Sequence, residues 1–373
     1  MFFLTPGYRK EAKLVLRAAR KLLRYRRDIL PDKQIIGLRE GMTRLEVALR
    51  TNHREDITLA TEKLHGQFDQ AAPQQRLAGL RENTEVILVA LVIALGVRSY
   101  FLQPFKIPTG SMQPTLYGVT GTRTVEPPPA WPLRVAEFIL RGRTYIDLSA
   151  ESDDSVIGLR EVTRFHFFTS TEIITRTRTY QVSAPLNVVR TDFQIHPGRP
   201  LRSGQPIVRG YAESGDQLFV DKVSYNFVRP KPGDVFVFRT TGIRRIEAGI
   251  PPGMGSQYYI KRLAAVGGQT LQIQPPELYI DGIVSPLPVF RRVMSCRDGY
   301  AGYSNTSAGG GAFPILGSPQ AEYTVPHGSY FALGDNSYHS SDSRYFGPVP
   351  EENVVGRGLV VYWPFVGRWG LIN

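Results

Sequence analysis

One apolar segment, EVILVALVIALGVRSYFLQPF at residues 85–105, constrains the architecture of this chain more than any other feature. Val86 to Val97 is an unbroken apolar run, and its extension to Leu102 approaches the roughly 20 residues that cross a bilayer. The segment begins more than 80 residues into the chain, which does not fit a cleaved signal peptide. A buried core helix is the alternative interpretation. We predict one transmembrane helix at residues 85–103, with the N-terminus in and the C-terminus out.

Charge is concentrated before this segment. The chain has a net charge of +12, and its first 27 residues hold nine Lys or Arg against a single acid, Glu11. Basic residues before an apolar span are typical of a cytoplasmic side. We therefore predict a helical, basic, cytoplasmic region at residues 1–84, and a basic amphipathic helix at residues 8–27. Leu14 and Leu16 would let such a helix lie on an anionic lipid surface. No nucleic-acid partner is expected, because no recognition motif accompanies the charge.

The texture of the sequence changes after Pro104. Short strand-like runs such as DVFVFR and YYIKRLAAV are separated by Gly, Pro and Asp turns, which favours antiparallel β structure. The expected fold is mainly β, preceded by N-terminal helices and one transmembrane helix. We assign residues 104–118 and 215–373 to one antiparallel β domain. Residues 119–214 are assigned to an inserted β-rich subdomain, which contains a helix around Leu133–Arg141.

Two further regions limit the chemistry. Residues 292–322 are rich in Gly and Ser and are predicted to form a long loop. The single cysteine, Cys296, excludes an intramolecular disulfide and a Cys-based zinc cluster. The six histidines show no close ligand spacing. We therefore expect neither a metal site nor a cofactor.

The stretch KIPTGSMQPTL places Ser111 in a loop stiffened by Pro and Gly, within about ten residues of the predicted span. A serine nucleophile needs a base to activate it. Histidine is the usual base, and four histidines stand downstream of the serine, although none has a recognisable context: His166, His196, His327 and His339. A G-x-S-x-G elbow is absent around Ser111.

A lysine is the other candidate base. Lowering its pKa by roughly 3 requires about 4 kcal/mol of differential desolvation, which burial can supply. Lys261 in YYIKRLAAVGG has apolar neighbours on both sides along a predicted strand. Because Lys261 and Arg262 face opposite sides of a strand, we expect one to point into a site and the other to solvent. An exposed strand lysine is the structural alternative.

A third stretch, ALGDNSYHSSDSRYFGPVP, is dense in Asp, Asn, Ser and Gly and is interpreted as a tight loop. Within it, Ser340 could hydrogen-bond a lysine amine. Asp342 and Arg344 lie two residues apart and could pair, which would brace the loop.

In this order, these stretches resemble the type I signal peptidases (leader peptidases), a family of membrane-anchored Ser-Lys serine proteases that remove signal peptides. The resemblance runs from about Leu91 to the C-terminus, except for residues 119–214 and 292–322. It is carried by SMQPTL, by GDQLFVDK with RPKPGDVFVFR, by YIKRLAAVGGQTLQI, by GDNSYHSSDSR and by the closing VVYWPFVGRWGLI. Each motif is moderately specific, and together in order they are highly specific.

The resemblance implies a role for each matching position. Ser111 would be the nucleophile and Lys261 the general base. The Ser111 backbone N–H and the hydroxyl of Thr109 would hold the oxyanion. Met112 would pack beside the dyad and help to keep it dry.

The resemblance also implies a supporting group. Ser340 would orient the lysine amine, and Asp342 with Arg344 would form a supporting salt bridge. The family often has arginine after Gly-Asp-Asn, where this chain has Ser337, so the bracing of the loop is in question. The long insertion and the N-terminal 80 residues have no counterpart in the resemblance.

The implied function is that of signal peptidase I, cleaving signal peptides from exported preproteins at the outer face of the inner membrane. Its partners would be preprotein signal peptides and membrane lipid, and contact with the secretion machinery is a further expectation. Four alternatives stay open: a specialised processing peptidase, a catalytically inactive membrane-anchored binding protein of the same fold, a self-cleaving repressor-type Ser-Lys peptidase, and a basic membrane-surface scaffold built on residues 1–85. The membrane span disfavours the repressor type, whose members are soluble.

Overall fold

The computed structural model describes residues 6–72, 78–164, 168–249 and 256–372, and the chain divides into two compact units. The first unit is Met1–Val92 and the second is Ile93–Asn373.

Three helices pack together in the first unit: α1 (Gly7–Arg26), α2 (Asp32–Thr51) and α3 (Arg54–Ala71). Their shared core is built from apolar side chains that recur at helical spacing, among them Leu38, Leu45, Ile57 and Leu64. A break between α2 and α3, absent from our prediction, falls at Asn52, which adopts a left-handed conformation (φ 63°) that ends a helix.

The predicted lipid-facing side of α1 is only partly available. Leu16 is buried in the core of the helical unit, and Leu22 and Leu23 are partly buried against it, whereas Leu14 is exposed. Most of the apolar stripe therefore packs against α2 and α3. The prediction that it lies on lipid was wrong for those side chains, because a neighbouring helix pair covers them.

Helix α4 (Ala78–Tyr100) carries the apolar segment. Its portion Glu82–Tyr100 is long and apolar enough to cross a membrane, and none of it is buried. A core helix of a soluble protein would bury most of such a segment, so α4 is a candidate membrane span. The helix begins earlier than the predicted residue 85 and gives way at Leu102 to a strand that contains Pro104.

The strands of the second unit are, in chain order, β1 (Leu102–Lys106), β2 (Thr120–Arg123), β3 (Arg143–Ser149), β4 (Asp154–Arg164), β5 (Phe168–Thr175), β6 (Thr179–Val182), β7 (Pro200–Leu201), β8 (Pro206–Glu213), β9 (Gln217–Asp221), β10 (Val235–Arg239), β11 (Tyr258–Val266), β12 (Thr270–Gln274), β13 (Glu277–Ile280), β14 (Ile283–Val284), β15 (Glu322–Thr324), β16 (Ser329–Leu333), β17 (Val349–Pro350), β18 (Val354–Trp363) and β19 (Gly370–Leu371). Short helices stand between them: α5 (Trp131–Arg141), α6 (Leu186–Thr191), α7 (Arg244–Glu247), α8 (Pro288–Met294) and α9 (Ser343–Phe346).

The largest sheet has the order β1-β9-β18-β10-β11-β16-β17, with β19 beside β18, and its pairings are antiparallel. Its central strand β10 is apolar on both faces. Phe236 and Phe238 join one core cluster, and the alternate residues Val235 and Val237 join another. The middle of this sheet is therefore covered on both sides, and a smaller antiparallel sheet, β14-β13-β12-β15, belongs to the same unit.

The insertion forms two antiparallel sheets, β2-β8-β3 and β6-β5-β4-β7, around its own buried cluster. Its first and last strands pair with each other, with Thr120 opposite Glu213. The predicted helix around Leu133–Arg141 is α5. The mainly β, antiparallel fold with a β-rich insertion and N-terminal helices is thus confirmed.

The Gly/Ser-rich connection at residues 292–322 begins inside α8 and contains, beyond that helix, one isolated bridge between Thr306 and Ala312. It is a loop, as predicted, but part of it is buried. Tyr303, Ser304 and Asn305 are buried, so the loop acts as a packing layer on the sheet.

Candidate active site

Ser111 lies in a single 3₁₀ turn, Gly110–Met112, between β1 and β2. Met112 anchors the turn, because its side chain is fully buried in the cluster that contains Val235 and Val237. Ser111 itself is buried, with 7% of the residue exposed. A serine held on a short turn by a buried neighbour presents its hydroxyl in one place, as a nucleophile requires.

Lys261 lies on β11, opposite Phe236 on β10, and is 4% exposed. Its Nζ is 2.6 Å from the Oγ of Ser111 and 3.1 Å from the carbonyl oxygen of Ile260. Burial lowers the pKa of Lys261 to about 8, although the carboxylates of Asp342 and Asp335 act in the opposite direction. This amine can therefore lose its proton near neutral pH while it touches the serine hydroxyl.

The loop after β16 holds the serine turn through its backbone. The backbone N–H of Asn336 donates to the carbonyl of Ser111 (3.1 Å), and its side-chain amide donates to the carbonyl of Gly110 (3.0 Å). A Cβ on Gly334 would lie 2.5 Å from the Ser111 carbonyl oxygen, a distance that Cβ atoms do not tolerate. Glycine is required there because two backbones meet.

Asp342 and Arg344 form the predicted salt bridge, 2.7 Å long, with both side chains fully buried. Asp342 also accepts from the backbone N–H of Gly334 (3.0 Å), which ties the pair to the serine turn. Arg344 donates to the Oγ of Ser337 (2.7 Å) and to the carbonyl of Ser304 (2.6 Å). Ser337, where the family often has arginine, thus braces the loop by accepting from Arg344.

Ser340 and Thr109 flank the dyad in the order expected from their motifs, but Ser340 does not make its expected hydrogen bond. Ser340 is buried, and its Oγ has no hydrogen-bond partner among the residues that the structure describes. The expected bond to Lys261 is therefore not formed here. Thr109 is exposed and lies in extended backbone directly before the serine turn. The roles of both residues stay predictions.

Arg262 corrects the expectation that one of the two neighbouring basic residues faces solvent. It is 2% exposed and makes a two-pronged ion pair with Asp335, at 2.8 Å and 2.7 Å. A third bond runs from its guanidinium to the carbonyl of Gly233 (2.8 Å). The expectation assumed a solvent-facing side, but both faces of this sheet are covered, so Arg262 needs a buried counter-ion.

Asp335 also links Arg262 to the segment that follows the serine turn. The hydroxyl of Thr115, four residues after Ser111, donates to Asp335 and also lies 2.9 Å from the hydroxyl of Tyr300 in the Gly/Ser-rich loop. Sequence reasoning missed this network. The available signal was position alone, since Arg262 follows Lys261 directly and Asp335 stands inside the Gly-Asp-Asn motif.

The histidines do not compete with Lys261 among the described residues. His196, His327 and His339 are exposed, and the hydrogen bond that Ser111 Oγ makes in the described chain is with the lysine amine. His166 lies outside the described residues.

Comparisons with known proteins identify the family of the chain. The family model described as "Signal peptidase, peptidase S26" matches residues 208–363, a segment that includes Lys261 but not Ser111. The chain is 32% identical over 208 residues to the signal peptidase I of Mycobacterium tuberculosis, covering 47% of this chain and 66% of that protein. It is 34% identical over 164 residues to the probable signal peptidase I-1 of Synechocystis sp., covering 43% of this chain and 68% of that protein.

A crystal structure of a signal peptidase I from Enterococcus faecalis is 27% identical, covers 35% of this chain and 97% of that chain, and has a TM-score of 0.25. The aligned segments of the two sequence relatives span about two thirds of their lengths. Because it is 34% identical to the Synechocystis protein over more than two thirds of that protein's length, the chain belongs to the type I signal peptidases, a family of serine endopeptidases.

Proposed function

We propose that this protein cleaves N-terminal signal peptides from exported preproteins, with Ser111 as nucleophile and Lys261 as general base. The observation that carries the proposal is the 2.6 Å contact between the Lys261 Nζ and the Ser111 Oγ. A buried lysine of lowered pKa in contact with a serine hydroxyl is the arrangement that a Ser-Lys hydrolase needs. The same contact argues against an inactive binding protein, which has no need to keep a buried amine beside a serine.

The reaction follows from this geometry in two halves. Neutral Lys261 accepts the hydroxyl proton as the Ser111 Oγ attacks the scissile carbonyl carbon, and the resulting alkoxide would be held by the Ser111 N–H and the Thr109 hydroxyl. Collapse breaks the C–N bond, and the lysine returns its proton to the leaving amine. Water, deprotonated by the same lysine, then attacks the acyl-enzyme ester, and the lysine returns this proton to the Ser111 Oγ as the ester bond breaks.

The position of the serine relative to the apolar segment supports a membrane substrate. Ser111 follows the end of α4 at Tyr100 by eleven positions. With the basic region on the cytoplasmic side, the catalytic unit would stand on the outer side of the inner membrane, in a single-pass topology. A signal peptide that spans the same bilayer would offer its cleavage site at that surface.

The test of the proposal is cleavage of a preprotein with an Ala-x-Ala site by the purified full chain in detergent. Wild type should cut after the second Ala, as read from the product mass, and Ser111→Ala should be inactive. Ser224→Ala, in a turn outside the site, serves as the matched control and should cut normally. Failure of wild type to cut this preprotein would favour a specialised peptidase or a binding protein.

The pH dependence of cleavage follows from the pKa of Lys261. The protonated amine cannot accept the serine proton, so kcat/KM should rise with pH and reach half of its plateau near pH 8. The measurement is kcat/KM for a soluble peptide from about pH 6 to about pH 10, a range that includes both the lowered pKa of Lys261 and nearly all of the usual lysine titration. A flat profile, or one half-maximal near the usual histidine pKa of about 6.5, would contradict a lysine base.

Removing the Asn336 side chain should loosen the serine turn. We expect Asn336→Ala to lower kcat by about 5- to 10-fold, the equivalent of about 1 kcal/mol for one lost hydrogen bond to Gly110, with KM unchanged. Asn226→Ala is the matched control. It removes an exposed side-chain amide that donates to the carbonyl of Lys222, and it should change neither kcat nor KM. Wild-type kinetics for Asn336→Ala would show that the backbone contact alone positions the turn.

A further inference from the structure

Helix α5 of the insertion has an apolar face that the protein leaves uncovered. None of its residues is buried, although most of them are apolar. Its large side chains are about half exposed or more: Trp131 (74%), Leu133 (51%), Val135 (47%), Phe138 (52%), Ile139 (54%) and Leu140 (53%). Exposed apolar residues that cluster in this way mark a contact with something absent from the isolated chain.

The orientation of α5 is the reverse of that of an ordinary surface helix. A surface helix packs its apolar face on its domain and turns its polar face to water. Here Glu137, from the narrow polar side, attaches the helix: it accepts from the hydroxyl of Tyr145 and lies 3.6 Å from the guanidinium of Arg143, both on β3. Glu137 therefore faces the protein, while the large apolar side chains face outward.

The C-terminal segment of the chain extends this apolar face. The Trp363 indole N–H donates to the carbonyl of Ile139 (2.7 Å), and its ring meets Phe138 edge-on at 6.2 Å. Beyond it, Phe365 is 53% and Trp369 is 59% exposed. The chain contains three tryptophans, and all three belong to this α5 patch, defined as α5 with residues 363–371.

We infer that the α5 patch lies in the interfacial layer of a lipid bilayer, as a second membrane contact besides α4. Tryptophan prefers the bilayer–water interface, where its ring is in an apolar setting and its N–H finds a polar partner. Arg134, which donates to the carbonyl of Pro129, and Arg141, which lies 3.8 Å from Glu137, are both exposed on the polar side of α5 and suit lipid phosphates. A bilayer is within reach, because the same unit begins with the last turns of the candidate span.

Lipid accounts for these features better than a protein partner does. Aromatic side chains and arginine are also enriched in protein interfaces, so the place of the patch in the chain decides between the two occupants. The unit that carries the α5 patch begins within the candidate span, which would hold that unit at a bilayer surface, and Trp, Phe and Leu beside basic residues are typical of interfacial membrane helices. This inference does not depend on the proposed cleavage reaction, because it concerns only where the insertion lies.

The tryptophans provide the test without any engineering. The full chain is reconstituted in vesicles of phosphatidylcholine and phosphatidylglycerol, with or without bromine atoms on the upper acyl chains. Since every tryptophan lies in the α5 patch, we expect the bromolipids to quench the emission by about half or more. Emission that bromolipids leave unchanged would overturn the inference, whether the patch is then free or covered by protein.

Two variants assign the signal to α5. With Trp363→Phe and Trp369→Phe, Trp131 becomes the sole tryptophan, and its emission should still be quenched. The matched control replaces all three tryptophans by Phe and adds Ile283→Trp, at an exposed position on β14. That control should respond to aqueous iodide and not to bromolipid. Quenching of the control as strongly as Trp131 would also count against the inference.

Discussion

Replacing Lys261 with methionine is expected to lower kcat/KM for preprotein cleavage by about 10³- to 10⁴-fold, within the range that general-base catalysis contributes. Methionine keeps the length of the side chain and removes the amine that contacts Ser111. Removing a buried amine does not cost stability when the replacement is apolar, so the melting temperature should stay level or rise. Loss of activity with an intact fold would identify the amine itself as the cause.

The matched control for this substitution is Lys231→Met, which changes an exposed lysine in the turn before β10. It should cleave at the wild-type rate. If Lys261→Met kept more than about a tenth of the wild-type activity, a loss far below that of a missing general base, while Ser111→Ala was inactive, the base would be a different residue. His339 would then be the next residue to replace.

Replacing Asp335 with alanine should lower the free energy of unfolding of the catalytic unit by about 3–5 kcal/mol. The substitution leaves the guanidinium of Arg262, which is 2% exposed, without its counter-ion. It also removes the acceptor of the Thr115 hydroxyl, four residues from the nucleophile. Chemical denaturation of the purified chain, followed by a probe in the second unit, measures the change.

Two further variants test whether the loss of stability comes from the buried Arg262–Asp335 pair. Glu151→Ala breaks the exposed Arg178–Glu151 pair and should cost at most about 1 kcal/mol. Combining Asp335→Ala with Arg262→Met should recover much of the lost stability, because the uncompensated charge is gone. A cost below about 1 kcal/mol for Asp335→Ala alone would contradict a fully desolvated pair.

The β character of the second unit could be predicted because its strands are short, alternate with Gly, Pro and Asp turns, and are not interrupted by long helices. Motif order further predicted that Ser111, Lys261 and the Asp342–Arg344 pair share one site, and the structure brings these residues together. Their catalytic roles remain predictions that the experiments above address.

The wrong predictions for Arg262 and Leu16 concern burial, because the sequence does not show which elements pack over a given residue. Arg262 was expected in solvent because strand alternation says which side a residue faces, but not whether another layer lies there. Leu16 was assigned to a lipid-facing stripe for the same reason, and α2 and α3 cover it. The contribution of Ser337 could not be foreseen, since a serine where arginine is usual gives no sign that Arg344 will reach it.

The pairing of β2 with β8 has a consequence for how this chain can vary. The insertion leaves the catalytic unit after Gly118 and returns at Gly215, and a Cβ on Gly215 would lie 3.1 Å from the carbonyl carbon of Gly118. Exit and entry are thus at nearly one point in space. An insertion of about 95 residues whose two ends meet does not disturb the strand pairing of the sheet from which it leaves. Further residues in the insertion would add little to the entropic cost of bringing its ends together. The region between nucleophile and base can therefore be lengthened, shortened or exchanged as a cassette, while the 2.6 Å contact between Ser111 and Lys261 is set by a turn and a strand that lie outside it.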